Sequence, residues 1–269
     1  MEYIEGEGFS LSHTVTKAPN DNDFEPHIHE NYELLCVVKG DVSYIVEGHR
    51  YKLSNGSLML MRSSETHKLI VDKSTEYERY VLNFSPSFVS KIGLSKSLLA
   101  PFKERSIGEK NLYLAEEFKH IAPVSYFERA FEHIKSLEEN DIAISLLAPL
   151  LCEIKRAFDN KEDFTIRKRT LSEEIASYIN ENLKNEITIS KIASSLHISQ
   201  AQLSRTFKAE MGTSVYDYVL TKRLILFNKS LSKSKNVQEL ARECGFFDYS
   251  SFYRLYKKRF GASPSYMKK

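Results

Sequence analysis

Hydrophobic and polar positions form short runs over the first third of the chain. The runs rich in β-branched and aromatic residues are residues 32–38, 42–46, 57–61 and 77–84. We expect the first run to end at Lys39-Gly40-Asp41, and Asn55-Gly56 is a hairpin-type turn before the third. Short strands with frequent turns predict an antiparallel barrel or sandwich.

From about residue 111 the hydrophobic period changes to that of helices. Apolar residues recur at helical spacing in Leu114, Phe118 and Ile121, then in Phe127, Phe131 and Ile134, and then in a broad stripe from Ile142 to Phe158 that contains Pro149. The predicted organisation is a sensor domain at 1–95, a helical dimerisation or packing segment at 96–160, a polar linker at 161–169 and an all-helical domain at 170–269.

The C-terminal part contains an internal repeat. Residues 205–214 and 254–263 share the pattern Arg-x-[Phe/Tyr]-Lys-x-x-apolar-Gly-x-Ser, and Ile192-Ala193 corresponds to Leu240-Ala241 upstream. Each copy predicts a helix with a small residue, a turn, and a second helix ending at glycine, which is a helix-turn-helix unit. The predicted N-caps of the four helices are Thr188, Ser199, Asn236 and Asp248.

The second unit extends this pattern into a longer motif. It comprises Leu240-Ala241, Gly245-Phe246, Ser251-Phe252-Tyr253-Arg254 and Gly261-Ala262-Ser263-Pro264, with Tyr218 and Arg223-Leu224 in the connecting helix. Residues 170–267 therefore resemble the DNA-binding domain of the AraC/XylS family of transcription regulators. The chain departs from the family at Phe227-Asn228, where a small alanine is usual, and we expect altered packing there without loss of the fold.

This resemblance implies that the second helix of each unit reads double-stranded DNA. The candidates are Gln200, Ala201, Ser204, Arg205 and Lys208 in the first unit, and Tyr249, Ser250, Ser251, Tyr253, Arg254, Lys257 and Lys258 in the second. Arg205 and Arg254 have the chemistry for bidentate contact to guanine, and a salt bridge or phosphate clamp is the alternative. The lysines are predicted to hold phosphates. A connecting helix at 214–231 would hold the readers one DNA turn, about 34 Å, apart.

Charge is distributed unevenly along the chain. Residues 1–167 contain 20 Lys/Arg and 27 Asp/Glu, whereas residues 168–269 contain 18 and 9. A cationic module joined to an anionic one favours contact with a polyanion by the C-terminal part alone, although chance also produces such differences. No apolar run approaches the roughly 18 residues of a membrane span. This predicts no membrane partner. The three scattered cysteines argue against a disulfide framework, so we expect a cytoplasmic protein.

The predicted strands carry a second motif, His27-x-His29-x3-Glu33-x6-Gly40, and His67 lies in register with a further motif that begins at Gly56. These spacings resemble the cupin barrel family, although Arg62, Ser64 and Val71 replace its usual proline, glycine and asparagine. The resemblance implies an antiparallel barrel that binds a small effector, such as a sugar. The effector candidates are His27, His29, Glu33, Tyr44, Arg62 and His67. A divalent metal held by His27, His29, Glu33 and His67 is the one cofactor that the residues suggest.

We favour a ligand-responsive transcription regulator over an enzyme. A metal-dependent cupin enzyme with secondary DNA binding is the alternative, and a constitutive DNA-bending protein with a vestigial barrel is a weaker one. The stripe from Ile142 to Phe158 resembles helices that dimerise many family members, but it could instead pack on its own barrel. The expected partners are DNA, an effector, a second copy of the chain and RNA polymerase. The sequence does not identify the effector, the operator or the sign of regulation.

Overall fold

The computed structural model describes residues 2–20, 23–24, 26–63, 65–133, 138–161, 170–231 and 236–267. The chain divides into two compact units, Met1–Lys168 and Arg169–Lys269. Nearly all of the predicted linker, residues 162–169, lies outside the described residues. None of the described helices combines the length and apolar character that crossing a bilayer would require.

The first unit is built on one antiparallel sheet. Its strands are β1 (Glu2–Gly6), β2 (Phe9–Thr16), β3 (Tyr32–Val46), β4 (His49–Lys52), β5 (Leu58–Met61), β6 (His67–Phe84) and β7 (Leu112–Tyr113). They pair in the order β1-β2-β6-β3-β5-β7, and β4 also pairs with β3. The antiparallel prediction is confirmed, but the pairings between described residues do not join the two ends of this order. The expected barrel is therefore not closed, and the described strands form an open sheet.

Strand β3 runs through the point where the sequence predicted an end. A β-bulge between Val37 and Val42 lets the strand continue past Gly40, and β6 follows it along almost its whole length. The turn at Asn55-Gly56 is present, but the strands on either side pair with β3 and not with each other. It is therefore not a hairpin turn.

The two faces of the sheet bury different residues because side chains alternate along a strand. Leu34 and Cys36 of β3 face a core shared with helices, whereas Leu35 and Val37 face an inner core that contains Tyr44 and Tyr77. The bulge changes the alternation, so that even-numbered residues face inward after it. Glu33 precedes the bulge and has the same alternation as Leu35 and Val37, so it lies on the inner side of β3.

Helices cover the other face of the sheet. They are α1 (Pro86–Lys91), α2 (Ala100–Lys103), α3 (Pro123–Glu132) and α4 (Glu139–Asp159), which includes Pro149. The helix expected around Phe118 is wrong: that stretch is a short 3-10 turn (Ala115–Glu117) after β7, because Leu112 and Tyr113 pair with β5. Segment 96–160 thus shares one core with the sheet.

The second unit is helical throughout its described residues. It contains α5 (Leu171–Glu181), α6 (Ile189–Ser195), α7 (Gln200–Met211), α8 (Val215–Leu231), α9 (Val237–Glu243), α10 (Tyr249–Phe260) and α11 (Pro264–Met267). The predicted connecting helix is α8, and it belongs to two cores. Tyr218 packs with α5–α7, and Phe227 packs with α9 and α10.

The departure at Phe227-Asn228 is accommodated inside the second of these cores. The Phe227 ring is fully buried and its centroid lies 4.7 Å from that of Phe252. Asn228 accepts a 2.8 Å hydrogen bond from the Tyr256 hydroxyl. Both unusual residues therefore attach α8 to α10, and the fold is kept.

Candidate functional site

The helix pairs α6–α7 and α9–α10 have matching local structure. The side chains of Ser199 and Asp248 accept backbone N–H groups at the starts of α7 and α10, as predicted. Thr188 and Asn236 cap α6 and α9 in the same way. Both α7 and α10 end at a left-handed glycine, which only a residue without Cβ adopts readily. Local sequence signals alone therefore fix both ends of each second helix.

Each of these second helices has one buried and one exposed face. Leu203 and Phe207 of α7 and Phe252 and Tyr256 of α10 are fully or almost fully buried. Most of the predicted DNA contacts lie away from this core: Ser204 is half-buried, and Gln200, Ala201, Arg205, Lys208, Ser250, Ser251, Tyr253, Arg254, Lys257 and Lys258 are exposed. Tyr249 is the exception, since its half-buried ring packs against the core, 5.7 Å from the ring of Phe252 between centroids. The fold thus leaves the exposed side chains available to a ligand, and the role of all these residues in binding DNA stays a prediction.

The two turns differ by one residue. Ile198 and Phe246 occupy equivalent positions, since the N–H of each donates to the carbonyl of the small residue in the preceding helix, at 3.0 and 2.9 Å. The second turn then adds Phe247, whose side chain is 64% exposed, before Asp248. The offset between the sequence repeats, 48 residues before the turn and 49 after it, already contained this insertion.

In the first unit, four residues of the predicted sensor site come together. The segment before β3 supplies His27 and His29, β3 supplies Glu33, and the first residue of β6 is His67. Their ligand atoms all lie within 4.8 Å of one another. Reciprocal 3.0 Å backbone hydrogen bonds join His27 to His67 and so attach the segment to the strand.

The protonation states of this cluster follow from burial and from its hydrogen bonds. Burial lowers the pKa of His67 to about 4, so the imidazole is neutral at pH 7. Burial alone would raise the pKa of Glu33, but the hydrogen bond with His29 and the nearby imidazoles outweigh it and lower the pKa to about 2. Burial likewise opposes charge on His29, yet its bond to Glu33 raises that pKa above the usual value. The cluster therefore holds a permanent carboxylate beside neutral His67.

Comparison with protein families identifies the kind of protein that combines the histidine cluster with two helix-turn-helix units. The AraC-like ligand binding domain matches residues 14–150, about half of the chain, and a helix-turn-helix domain matches residues 192–269. The chain belongs to the AraC family of transcription regulators. It is a DNA-binding regulator with an N-terminal ligand-binding domain, as the sequence resemblance implied.

Relatives of this AraC family regulator cover most of its length. The uncharacterized helix-turn-helix regulator YfiF of Bacillus subtilis is 27% identical over 250 residues, which are 88% of this chain and 76% of YfiF. The raffinose operon transcriptional regulatory protein RafR of Pediococcus pentosaceus is 25% identical over 90% of this chain and 86% of its own. The probable transcriptional regulator LumQ of Photobacterium leiognathi is 30% identical over 132 residues, and the match spans about half of each protein.

The other two predicted effector contacts of the AraC family regulator have different surroundings. Tyr44 is buried in the inner core, and its ring is stacked 6.3 Å from that of His67. Arg62 instead donates to the backbone carbonyls of Phe102 and Arg105, at 3.5 and 3.1 Å. Tyr44 thus adjoins the histidine cluster, whereas the structure assigns Arg62 to a separate set of contacts.

Two further residues lie on the inner face and were not predicted from the sequence. The Tyr77 hydroxyl is buried without a hydrogen-bond partner among the described residues. The guanidinium of Arg79 lies 4.6 Å from the centre of the Tyr77 ring and 5.7 Å from that of Phe24. Tyr77 and Arg79 are an even number of residues from Leu69 on β6, and Leu69 faces inward. This strand alternation is the sequence signal that could have identified them.

Proposed function

We propose that this AraC family protein is a ligand-responsive regulator whose two helix-turn-helix units read adjacent major grooves. One observation carries the proposal: α7 and α10 have equivalent caps, equivalent glycine exits and exposed faces that each present an arginine. Both are attached to the same helix, α8, through its two cores. A rigid connection of this kind suits two readers that enter the groove one helical turn apart.

Arg254→Ala tests this reading. The specific DNA is a fragment recovered from sites that the protein occupies in its host genome. We expect Arg254→Ala to weaken binding to this fragment by about 1–3 kcal/mol, because a bidentate base contact is lost. The measurement is fluorescence anisotropy against that fragment and against random DNA of equal length.

The matched variant is Lys257→Ala on the same helix. A phosphate contact should weaken both DNAs alike and reduce the slope of log affinity against log salt by about one. Exposed Arg242 of α9, outside the reading face, provides an alanine control that should change neither. Equal affinity of the wild type for both DNAs would remove the basis of the proposal.

The sensor is proposed to bind a small polar effector on the inner side of the sheet. Buried Tyr44 beside His67 and the Tyr77 hydroxyl, which no described residue satisfies, supply hydrogen-bonding groups there. A sugar is the proposed class, supported by the similarity to RafR, which is named for a raffinose operon. The site would act as a sensor and not as an enzyme active site, in keeping with relatives that are transcription regulators.

A homodimer is proposed through the outer face of α4. The predicted stripe does not provide the interface, since Leu146, Leu150 and Ile154 are at most 1% exposed and pack on the sheet of their own chain. The outer face instead aligns Ile144, which is 36% exposed, with exposed Cys152 two turns later. RNA polymerase is a further proposed protein partner, as for other DNA-bound regulators.

Sedimentation equilibrium of the full chain measures the proposed association directly. We expect twice the 31.1 kDa mass of one chain, and Ile144→Glu should reduce it towards a single chain. Lys17→Glu, a charge change at an exposed lysine of the same unit outside α4, is the control and should leave the mass unchanged. A wild type with the mass of one chain at micromolar concentration would remove the dimer from the account.

A further inference from the structure

The histidine cluster contains polar atoms that its own hydrogen bonds leave unsatisfied. His67 Nδ1 lies 2.9 Å from the backbone carbonyl of Glu65, which can only accept, so Nδ1 carries the proton of the neutral ring. The lone pair is therefore on Nε2. That atom is buried and has no hydrogen-bond partner among the described residues. A buried acceptor in this state is costly unless something electropositive binds it.

The nearest charged atom is itself an acceptor. Glu33 Oε1 lies 3.9 Å from His67 Nε2, too far for a hydrogen bond, so the carboxylate does not satisfy that nitrogen. Two electron pairs thus face each other across a short gap. A cation placed between them would satisfy both.

His29 repeats this arrangement on the other carboxylate oxygen. Its Nδ1 lies 2.9 Å from the carbonyl of Asn31, and its Nε2 lies 3.0 Å from Glu33 Oε2. Both neighbours are acceptors, so the ring needs a second proton to satisfy them, or a cation must take that proton's place on Nε2. In each histidine a backbone carbonyl orients the ring so that Nε2 faces the centre of the cluster, as carbonyls do behind metal-bound imidazoles.

We propose that His27, His29, Glu33 and His67 bind one divalent transition-metal ion. Three imidazoles and one carboxylate, without a thiolate, suit zinc, nickel, cobalt or iron rather than calcium or magnesium. With bonds of about 2.0–2.2 Å, two ligand atoms on one ion are separated by at most about 4.4 Å. The 4.8 Å limit of this cluster is slightly wider, so an ion would draw the side chains together by a few tenths of an ångström.

This inference deepens the proposed sensor function and rests on it only for its regulatory meaning. The ion would tie the segment carrying His27 and His29 to the inner side of the sheet. Four protein ligands on an ion that takes six would leave room for oxygen atoms of an effector, and Tyr44 is a neighbouring residue of His67. Oxygen donors such as vicinal hydroxyls or a carboxylate fit such positions.

The test uses tag-free, full-length protein that has been stripped with a chelator and titrated with Co²⁺ under anaerobic conditions. We expect one ion per chain by elemental analysis, a visible d–d absorption band and a raised melting temperature. His27→Ala and His29→Ala should each weaken Co²⁺ affinity at least tenfold. In other metal sites, loss of a residue that only hydrogen-bonds to a ligand already lowers metal affinity by roughly 10–100-fold. His27 is exposed, so its removal should leave the fold intact.

His120→Ala is the matched control, because His120 is an exposed histidine of the same unit outside the cluster. It should bind Co²⁺ like the wild type. Absence of stoichiometric binding, or unchanged binding in the His27→Ala/His29→Ala double variant, would overturn the metal site. Selective DNA binding by the metal-free and the Co²⁺-loaded chain is measured in parallel. If neither binds DNA selectively, the proposed regulator function is contradicted, whereas the metal site is not.

Discussion

Replacing Arg105 with methionine is expected to destabilise the N-terminal unit by about 3–5 kcal/mol, because it leaves a buried carboxylate without its counter-charge. The side chains of Arg105 and Glu65 are 0% and 1% exposed, and both terminal nitrogens of Arg105 lie 2.7 Å from the carboxylate. Burial alone would raise the pKa of Glu65, but Arg105 and two backbone N–H groups lower it to about 2. Without Arg105 the largest lowering effect on this pKa is lost, so the buried carboxyl group is left either ionised without a counter-charge or protonated at a cost in free energy.

The loss should extend to the sensor site. The carbonyl of Glu65 orients His67, and its carboxylate also accepts the N–H of Gly108 at 3.0 Å. Hydrogen exchange with mass spectrometry measures the effect in peptides from β3 and β6, where the most protected amides should exchange about 10²–10⁴ times faster. Co²⁺ affinity should fall as well.

Two variants separate this effect from the loss of any surface arginine. Arg50→Met removes an ion pair with Asp72 in which the arginine side chain is 57% exposed, and it should cost less than about 1 kcal/mol. Arg105→Met combined with Glu65→Met removes both buried charges and should recover part of the stability. If Arg105→Met behaves like Arg50→Met, the buried pair does not support the sheet as described.

Gly245→Ala is expected to destabilise the C-terminal unit by about 3 kcal/mol. Gly245 has a φ of +90°, and an added Cβ would lie 2.6 Å from Arg223 Nε and 2.7 Å from the carbonyl oxygen of Leu183. Arg223 donates to that carbonyl at 2.9 Å and to the carbonyl of Asn185 at 2.6 Å, so it clamps α8 to the loop after α5. The estimate combines backbone strain with the loss of charge-assisted hydrogen bonds.

Gly261→Ala separates strain from steric clash. Gly261 also has a positive φ, +71°, but an added Cβ would have no atom of the described residues within 4 Å beyond its chain neighbours and its own helix. Only the conformational cost of about 1 kcal/mol should remain. Hydrogen exchange in peptides from α5 to α10 measures both variants. Equal protection in the two would show that the Arg223 clamp contributes nothing to the stability of this unit.

Local signals explain which parts of the structure the sequence predicted. The caps at Ser199 and Asp248 and the exits at Gly212 and Gly261 depend on neighbouring residues only, and all four are confirmed. The same is true of α8, whose apolar residues repeat at helical spacing. The sensor residues His27, His29 and His67 came from motif spacing, and the fold brings them together with Glu33.

The failures have a common cause in contacts between distant parts of the chain. Leu112 and Tyr113 became a strand because the edge of β5 was available to pair, which no local pattern indicates. Glu65 and Arg105, 40 residues apart, look like solvated loop charges until the fold buries them against each other. The bulge in β3 and the open sheet likewise depend on β6 following its partner over nearly its full length.

Selection of bound sequences from a random pool of double-stranded DNA by the full-length protein tests the central claim, that α7 and α10 both read the duplex. We expect two enriched blocks whose centres lie about 10–10.5 base pairs apart. Arg205→Ala should relax the sequence of one block and Arg254→Ala that of the other. A pool without enrichment, or a single block that both variants affect alike, would contradict the claim.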